Sequence, residues 1–182
     1  MASQRYIALL RGINVGGHNK IPMAELRDVA ANFGWTEVQT YIQSGNLVFN
    51  ASGAAKTLEK ELENGIQGRF QLTIPVLVRS RATWDKHAQG NPFPEASAIE
   101  PNKVVMAECK RVPRKTAADE LNERAKNGER VAIVSGALWI HFPSGIARTK
   151  LSPALVDRLV GSTVTMRNWR TVLELSEKLA AK

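Results

Sequence analysis

The sequence predicts an α+β protein built from two ferredoxin-like halves, each with the element order β-α-β-β-α-β. Two observations support this fold class. Apolar segments with strand and helix periodicity alternate in that order in the first ninety residues, and the same order starts again near residue 103. We expect antiparallel or mixed sheets with helices on one face. The predicted domains are residues 1–90 and residues 91–182, the second with an extra C-terminal helix.

The first half contains all six elements of this pattern. Strands are predicted at residues 6–11, 38–43, 46–49 and 72–78, and helices at residues 23–33 and 58–66. Ser44-Gly45 predicts a tight hairpin turn between the second and third strands. Pro75 indicates an edge position or a bulge for the fourth strand.

The second half repeats the pattern after a short helix at residues 82–89 and a linker-like stretch at residues 90–97. Strands are predicted at residues 103–107, 130–134, 138–142 and 163–166. Thr116 with Asp119 is a capping signature for a helix that ends near residue 127. Ser152-Pro153 starts another helix, and Asn168 caps a final helix that runs to about residue 179.

The two hairpins can be aligned on each other with an offset of 91 residues. Residues 42–48 (IQSGNLV) and 133–139 (IVSGALW) share Ile, Ser, Gly and Leu, and the match falls at the same point of both predicted topologies. This supports two related halves.

Composition indicates a soluble globular chain, with 43% hydrophobic and 23% charged residues among 182. No apolar stretch is long enough for a membrane span, and the first residues lead straight into a strand, so we expect no secretory signal and no membrane partner. A lone cysteine, Cys109, makes no internal disulfide. We therefore expect a cytoplasmic protein. A net charge of +8 favours anionic partners such as nucleotides, nucleic acid or acidic lipid headgroups.

Residues 9–23 (LLRGINVGGHNKIPM) place three glycines between a strand and a helix. The P-loop pattern fails because Lys20 comes late and no hydroxyl follows it, and the dinucleotide pattern fails because Asn14 replaces a glycine. The features by which such loops bind phosphate are still present. Glycines let backbone N–H groups face a ligand. Pro22 is expected to be the first helical residue, which leaves Ile21 near the cap position with no hydroxyl or carboxylate for the free N–H groups.

This loop is therefore predicted to bind an anion, while the alternative is that water solvates its donors and glycine only permits positive φ. The predicted ligand-binding residues in the loop are Arg11, Gly12, Asn14, Gly16, Gly17, Asn19 and Lys20. A second set, Lys150, Arg167 and Asn168, would come from the other half. Trp169 is expected to be a core residue of the last helix rather than a platform for a base.

Catalytic groups are sparse. His18 on the loop is the only candidate for proton transfer. His87 lies among polar residues and is expected to be exposed, whereas His141 shares a strand face with Trp139, either an open surface or an interface between the halves. No histidines or cysteines have metal-ligand spacing, so no metal site is predicted. Ser44 and Ser135 are interpreted as turn residues.

Three functions remain open. The favoured one is binding, with or without processing, of a small phosphate-bearing or other anionic ligand at the glycine-rich loop and a basic cleft. A nucleic-acid-binding module would use the overall charge and the cluster Lys110, Arg111, Arg114 and Lys115. A protein-interaction scaffold without catalysis is the third. The reaction, any cofactor and the oligomeric state are not specified by the sequence.

Several segments together resemble a bacterial family catalogued as domain of unknown function 1697. They are residues 6–26, 40–49, 91–93, 150–151 and 165–172, so the resemblance extends over essentially the whole chain. The family's Ser-Lys-Leu and Thr-Ala-Arg-Asn-Trp appear here with Thr149 and Met166 as mild departures. The resemblance implies a cytoplasmic α+β protein and carries no activity with it.

Overall fold

A computed structural model describes residues 3–181. Over this range the chain forms eight strands and seven α-helices in two compact units. Unit 1 contains the residues up to Trp84 together with those from Leu175 onward, and unit 2 is Asp85–Glu174. The predicted α+β class with two ferredoxin-like halves is confirmed, whereas the domain limits at residues 90 and 91 stay a prediction.

Unit 1 is a four-stranded antiparallel sheet with two helices on one face. Its elements are β1 (Gln4–Leu10), α1 (Met23–Ala31), β2 (Thr36–Tyr41), β3 (Asn46–Ala51), α2 (Ala55–Phe70) and β4 (Val76–Ser80). The strand order is β2-β3-β1-β4. The edge position that Pro75 indicates is confirmed, because β4 follows this proline directly and lies at the sheet edge.

The core of unit 1 lies between the sheet and its helices. Every second residue of β1 contributes to it, together with apolar side chains that recur at helical spacing on α1 and α2. Trp35 stacks on Phe49 with ring centroids 4.0 Å apart and planes inclined by 6°. These contacts hold α1 and α2 against the sheet.

Unit 2 repeats the arrangement. After α3 (Arg81–Gln89) and α4 (Pro94–Ile99) come β5 (Val104–Cys109), α5 (Ala117–Arg124), β6 (Arg130–Val134), β7 (Ala137–His141), a 3₁₀ turn (Ile146–Arg148), α6 (Pro153–Val160), β8 (Val164–Asn168) and α7 (Trp169–Ala180). The residues of α3 up to Trp84 and those of α7 from Leu175 belong to unit 1. The sheet order is β6-β7-β5-β8, again antiparallel throughout. In both units the edge-to-edge order is therefore second, third, first and fourth strand.

The linker-like stretch at residues 90–97 is not a plain linker, because α4 begins within it. Pro94 occupies the first turn of this helix, where a missing N–H costs nothing. Phe93 just before it is buried, and Asn91 donates to the Ser97 hydroxyl over 2.7 Å. Burial and local hydrogen bonds thus order a segment whose Pro and Gly content suggested a connection.

Two of the three predicted side-chain caps form as expected. Ser152 Oγ accepts a hydrogen bond from the Leu155 amide, and Asn168 Oδ1 accepts one from the Thr171 amide, as predicted. Thr116 is the N-cap residue of α5 as predicted, but its hydroxyl donates to the Glu120 carboxylate over 2.7 Å instead of accepting from an amide. For α1 the predicted start is one residue early, since Pro22 is the N-cap and Met23 the first helical residue.

Helix α5 also ends earlier than predicted, at Arg124. The Glu129 carboxylate accepts hydrogen bonds from the amides of Lys126 and Asn127, over 3.1 and 2.8 Å. These bonds hold the two residues in a turn, and the chain enters β6 without another helical turn.

Within residues 3–181, no helix has the length and apolar character needed to cross a membrane.

Candidate functional site

The glycine-rich loop joins β1 to α1 in unit 1, and its first residues are anchored by backbone hydrogen bonds. The Leu10 amide donates to the Gly45 carbonyl over 2.8 Å, and the Arg11 amide donates to the Pro75 carbonyl over 3.0 Å. Ile13 is fully buried beneath the loop. The loop therefore leaves the sheet from a defined position beside the β2–β3 turn.

Asn14 holds the loop, the start of α1 and the β2–β3 turn together. Its Nδ2 group donates to the carbonyls of Ile21 (3.0 Å) and Gln43 (2.8 Å), and its Oδ1 accepts from the Ile21 amide (2.9 Å). Its backbone has a φ of 54°, a left-handed conformation that asparagine tolerates better than most residues. The side chain of this predicted ligand-binding residue thus has a structural part in the loop.

The remaining loop residues are joined by hydrogen bonds within the loop. Asn19 Nδ2 donates to the Gly12 carbonyl over 2.9 Å, and the Asn14 amide donates to the Asn19 carbonyl over 3.2 Å. Gly16 and Gly17 have positive φ at the tip, where the chain reverses between Val15 and His18. Glycine is used here for a tight turn, and the tip is exposed.

A depression of about 370 Å³ lies where this loop meets α1. It is lined by Asn14, Gly17, Lys20, Ile21, Pro22 and Gln43. Lys20 is exposed, and no side chain caps the N-terminus of α1. Three of the predicted site residues, Asn14, Gly17 and Lys20, are therefore brought together around one concave surface.

The other predicted loop residues lie close in sequence but do not line the depression. Gly12, Gly16 and Asn19 shape the loop, and Arg11 is half-buried at its base. His18 is exposed at the tip. The ligand-binding and catalytic assignments of these residues stay predictions.

The second predicted set belongs to unit 2. Lys150 is exposed, and Asn168 uses its side-chain oxygen to cap α7. Arg167 is buried on β8, where it donates to Thr165 Oγ1 over 2.9 Å and to the Met166 carbonyl over 2.8 Å. Burial lowers the pKa of Arg167 to about 10, so its guanidinium is still protonated at neutral pH. The contribution of these three residues to a ligand site also stays a prediction.

One prediction about histidine is wrong, because His87 is buried. Its Nδ1 lies 2.7 Å from Glu108 Oε1, and the two side chains are 10% and 1% exposed. Periodicity could not reveal this pair, since His87 follows polar residues on α3 and Glu108 interrupts an otherwise apolar strand 21 positions later. The only signal was the carboxylate itself, isolated among apolar neighbours in β5.

His141 is also buried, which excludes an open sheet surface around it. Arg130 Nη2 lies 3.2 Å from its Nδ1, and the ring of Phe93 lies 6.0 Å from the imidazole. Burial lowers the pKa of His141, and the neighbouring Arg130 charge lowers it further.

Trp169 is half-buried, with its ring centroid 5.6 Å from that of Trp139.

Metal coordination has no cluster to support it in the described part of the chain, where no group of three His, Cys, Asp or Glu side chains could hold an ion. Cys109 is buried in β5, with its thiol directed at the Ala107 carbonyl.

The fold has a solved counterpart, the structure of the conserved bacterial protein SP0830 from Streptococcus pneumoniae. The TM-score is 0.75 with 24% sequence identity, over 98% of this chain and 99% of that chain. This likeness concerns the fold alone. No curated protein matches the chain. Residues 3–139 match the model of the family described as Protein of unknown function (DUF1697), which confirms the resemblance noted in the sequence, and the chain belongs to that family.

Proposed function

We propose that the β1–α1 loop binds a small phosphate-bearing ligand or another small anion. The observation that carries this proposal is the depression of about 370 Å³ at the uncapped start of α1, with Lys20 in its wall. Its volume is within the range of small-molecule sites.

The start of α1 supplies donors for such a ligand. The Leu26 amide is the first to bond back along the helix, to the Pro22 carbonyl over 3.0 Å. The amides of Met23, Ala24 and Glu25 precede it and have no acceptor within the helix, and the helix dipole places partial positive charge at the same end. These groups and the Lys20 ammonium favour an anion.

The one acidic side chain in the first turn of α1 is paired with a cation. Glu25 forms an ion pair with Arg69 of α2, with 2.6 Å between Oε2 and Nη2. The pair offsets the carboxylate charge that would otherwise repel an anion at the helix start.

Apolar side chains flank the donors. Ile21 and Pro22 line the depression, and Val15 and Ile42, each next in sequence to a lining residue, are 66% and 51% exposed. A ligand with an apolar part next to its anionic group, such as a nucleotide or a sugar phosphate, suits this combination better than a bare ion.

A thermal-shift series with nucleotides and sugar phosphates tests the proposal, with Lys20→Ala as the variant and Lys86→Ala as a control of equal charge change. Lys86 is exposed on α3. We expect at least one compound to raise the melting temperature of the wild type and of the control, with a smaller rise for Lys20→Ala. No stabilisation by any compound, or equal stabilisation of all three proteins, would contradict the proposed anion site.

A polynucleotide is the alternative ligand, and adding single- and double-stranded oligonucleotides to the same thermal-shift series would detect it. If the stabilising compounds act only as polymers, and binding falls steeply as salt is added, the nucleic-acid hypothesis replaces the small-ligand one.

We also propose that the protein acts in the cytoplasm. Its single cysteine, Cys109, is a buried thiol, which suits a reducing compartment. Cell fractionation followed by immunoblotting would show the protein in the cytosolic fraction, and recovery in a membrane or secreted fraction would contradict this.

A further inference from the structure

Two buried side-chain nitrogens of unit 2 have no hydrogen-bond partner among the described residues. They are Trp139 Nε1 and His141 Nε2, both on β7. Leu138 and Ile140, which alternate with them, belong to the core cluster, so Trp139 and His141 share the opposite face of the sheet. Buried polar groups normally have partners, and each exception calls for an explanation.

The contact with Arg130 makes His141 Nε2 a donor. Arginine stays protonated and can only donate, so the Arg130 contact over 3.2 Å requires His141 Nδ1 to accept. The imidazole hydrogen is then on Nε2. Burial lowers the pKa of His141, which favours the neutral ring, and Arg130 lies 5.0 Å over the Phe93 ring. Trp139 Nε1 is always a donor, so two buried N–H groups on one strand face lack acceptors.

The cross-strand neighbours on this face provide few hydrogen-bond acceptors for these two N–H groups. Trp139 lies beside Ala132 and Met106, and Met106 lies beside Arg167. His141 lies between Arg130 and Val104 in the next row. Among these five neighbours there is no carboxylate or amide, and two are cations. The carboxylate of Glu108, two positions from Met106 on the same face, is already engaged by His87 over 2.7 Å. A water molecule accepting both N–H groups would still need acceptors for its own hydrogens, whereas an oxyanion only accepts.

We propose that this face of the β6-β7-β5-β8 sheet binds a small oxyanion group, a phosphate or carboxylate, through Trp139 Nε1 and His141 Nε2. Trp139 is fully buried, so the group that reaches it is small. Arg130 is exposed on the edge strand β6, directly beside His141, and supplies positive charge there. The two donor residues are two positions apart on the strand, a Cα separation of about 6.6 Å that a polyatomic anion can bridge. This site is in unit 2 and does not depend on the function proposed for the β1–α1 loop of unit 1.

The test is a titration of the full-length protein with inorganic phosphate and, separately, acetate, followed by the ¹H–¹⁵N signals of the tryptophan indoles and of the histidine rings. The chain has four tryptophans, and Trp139→Phe assigns the signal of interest. We expect saturable shifts of the Trp139 indole and of a His141 Nε2–H signal. The relative response to phosphate and acetate identifies which oxyanion is preferred.

Three comparisons decide the outcome. His141→Phe should abolish the saturable shift of the Trp139 indole, whereas Lys20→Ala in unit 1 should leave it unchanged. Sodium chloride at matched ionic strength should produce no saturable shift. The proposal is overturned if neither anion shifts the Trp139 signal in the wild type, if chloride reproduces the shift, or if Lys20→Ala removes it. The wild-type titration needs no variant, so a poorly folded His141→Phe would not prevent a decision.

Discussion

His87 Nδ1 on α3 lies 2.7 Å from Glu108 Oε1 on β5, and both side chains are almost fully withdrawn from water. The interaction ties the helix that follows β4 to the central strand of the second sheet. Within unit 2 it joins residues 21 positions apart, and it places a carboxylate on the sheet face that does not carry the core cluster.

Removing one partner of this pair should be costly. Glu108→Ala leaves the His87 N–H without its acceptor in a buried setting, and we expect a loss of about 3–5 kcal/mol in the free energy of unfolding. Urea denaturation of the two proteins measures it. Glu95→Ala, at an exposed position on α4, is the control and should change stability by less than about 0.5 kcal/mol. Equal effects of the two substitutions would contradict a stabilising role for the pair.

Asn14 should matter through its three hydrogen bonds and its left-handed backbone. Asn14→Ala loses both features, and we expect a loss of about 3 kcal/mol in the free energy of unfolding. Asn14→Gly keeps the backbone conformation and should lose about 2 kcal/mol. The Gln43 carbonyl, not its side chain, accepts from Asn14, so Gln43→Ala is a matched control with little effect. Urea midpoints give the ranking, and a harmless Asn14→Ala would refute this account of the loop.

Gly45 and Gly12 both have positive φ, at 78° and 67°, but their surroundings differ. A Cβ at Gly45 would lie 2.7 Å from Leu10 Cβ and 2.8 Å from Ile13 Cδ1, whereas a Cβ at Gly12 would meet nothing within 4 Å. Gly12→Ala should therefore cost about 1 kcal/mol from backbone strain alone. Gly45→Ala adds a steric clash and should cost about 3 kcal/mol or more. Thermal and urea unfolding compare the two, and similar losses would show that the clash relaxes freely.

His141 should make the stability of the protein depend on pH. Its pKa is lowered in the folded state, chiefly by burial, from an ordinary value of about 6.5. Just below that pH the unfolded chain binds more protons than the folded one, so stability falls as pH falls from about 7 toward the folded pKa. Urea unfolding between pH 5 and 8 measures the slope.

The matched variants for this pH series are His141→Phe and Val104→Ala. His141→Phe removes the titrating group and should flatten the slope relative to the wild type. Val104 is the buried cross-strand neighbour of His141, and Val104→Ala should lower stability by a similar amount at each pH. A wild-type slope in His141→Phe would assign the pH dependence to other groups.

Local patterns predicted most elements well because strand and helix periodicities reflect a single apolar face packing on one core. β6 was located at residues 130–134 as observed, and the Ser152 and Asn168 caps act as predicted. The errors occurred where a competing contact replaced the local rule. The Thr116 hydroxyl bonds to the Glu120 carboxylate instead of an amide. The Glu129 carboxylate accepts from the amides that follow α5, and the helix stops there. The buried Phe93 precedes a helix in a stretch rich in proline and glycine.

The candidate sites divide in the same way. Three of the loop residues that sequence singled out line one depression, because residues close along a tight turn must lie close in space. The His87–Glu108 pair and the partnerless nitrogens of Trp139 and His141 had no such signal. Each depends on groups from different strands and helices, whose pairing follows from sheet register and not from spacing along the chain.

The sequence by itself determined the family, the fold class, the repeated β-α-β-β-α-β order and the glycine-rich connection between β1 and α1. The family was evident from motifs shared with its members, whereas the fold class, the element order and the connection follow from short-range chemistry: apolar periodicity, turn residues and capping groups. Only the tertiary structure decided that Asn14 uses its amide to hold the loop, that His87 is buried against a carboxylate, and that two N–H groups on β7 face no acceptor. Those features require knowing which side chains meet across the sheet, and burial then sets their chemistry, because a polar group removed from water must find a partner or a ligand.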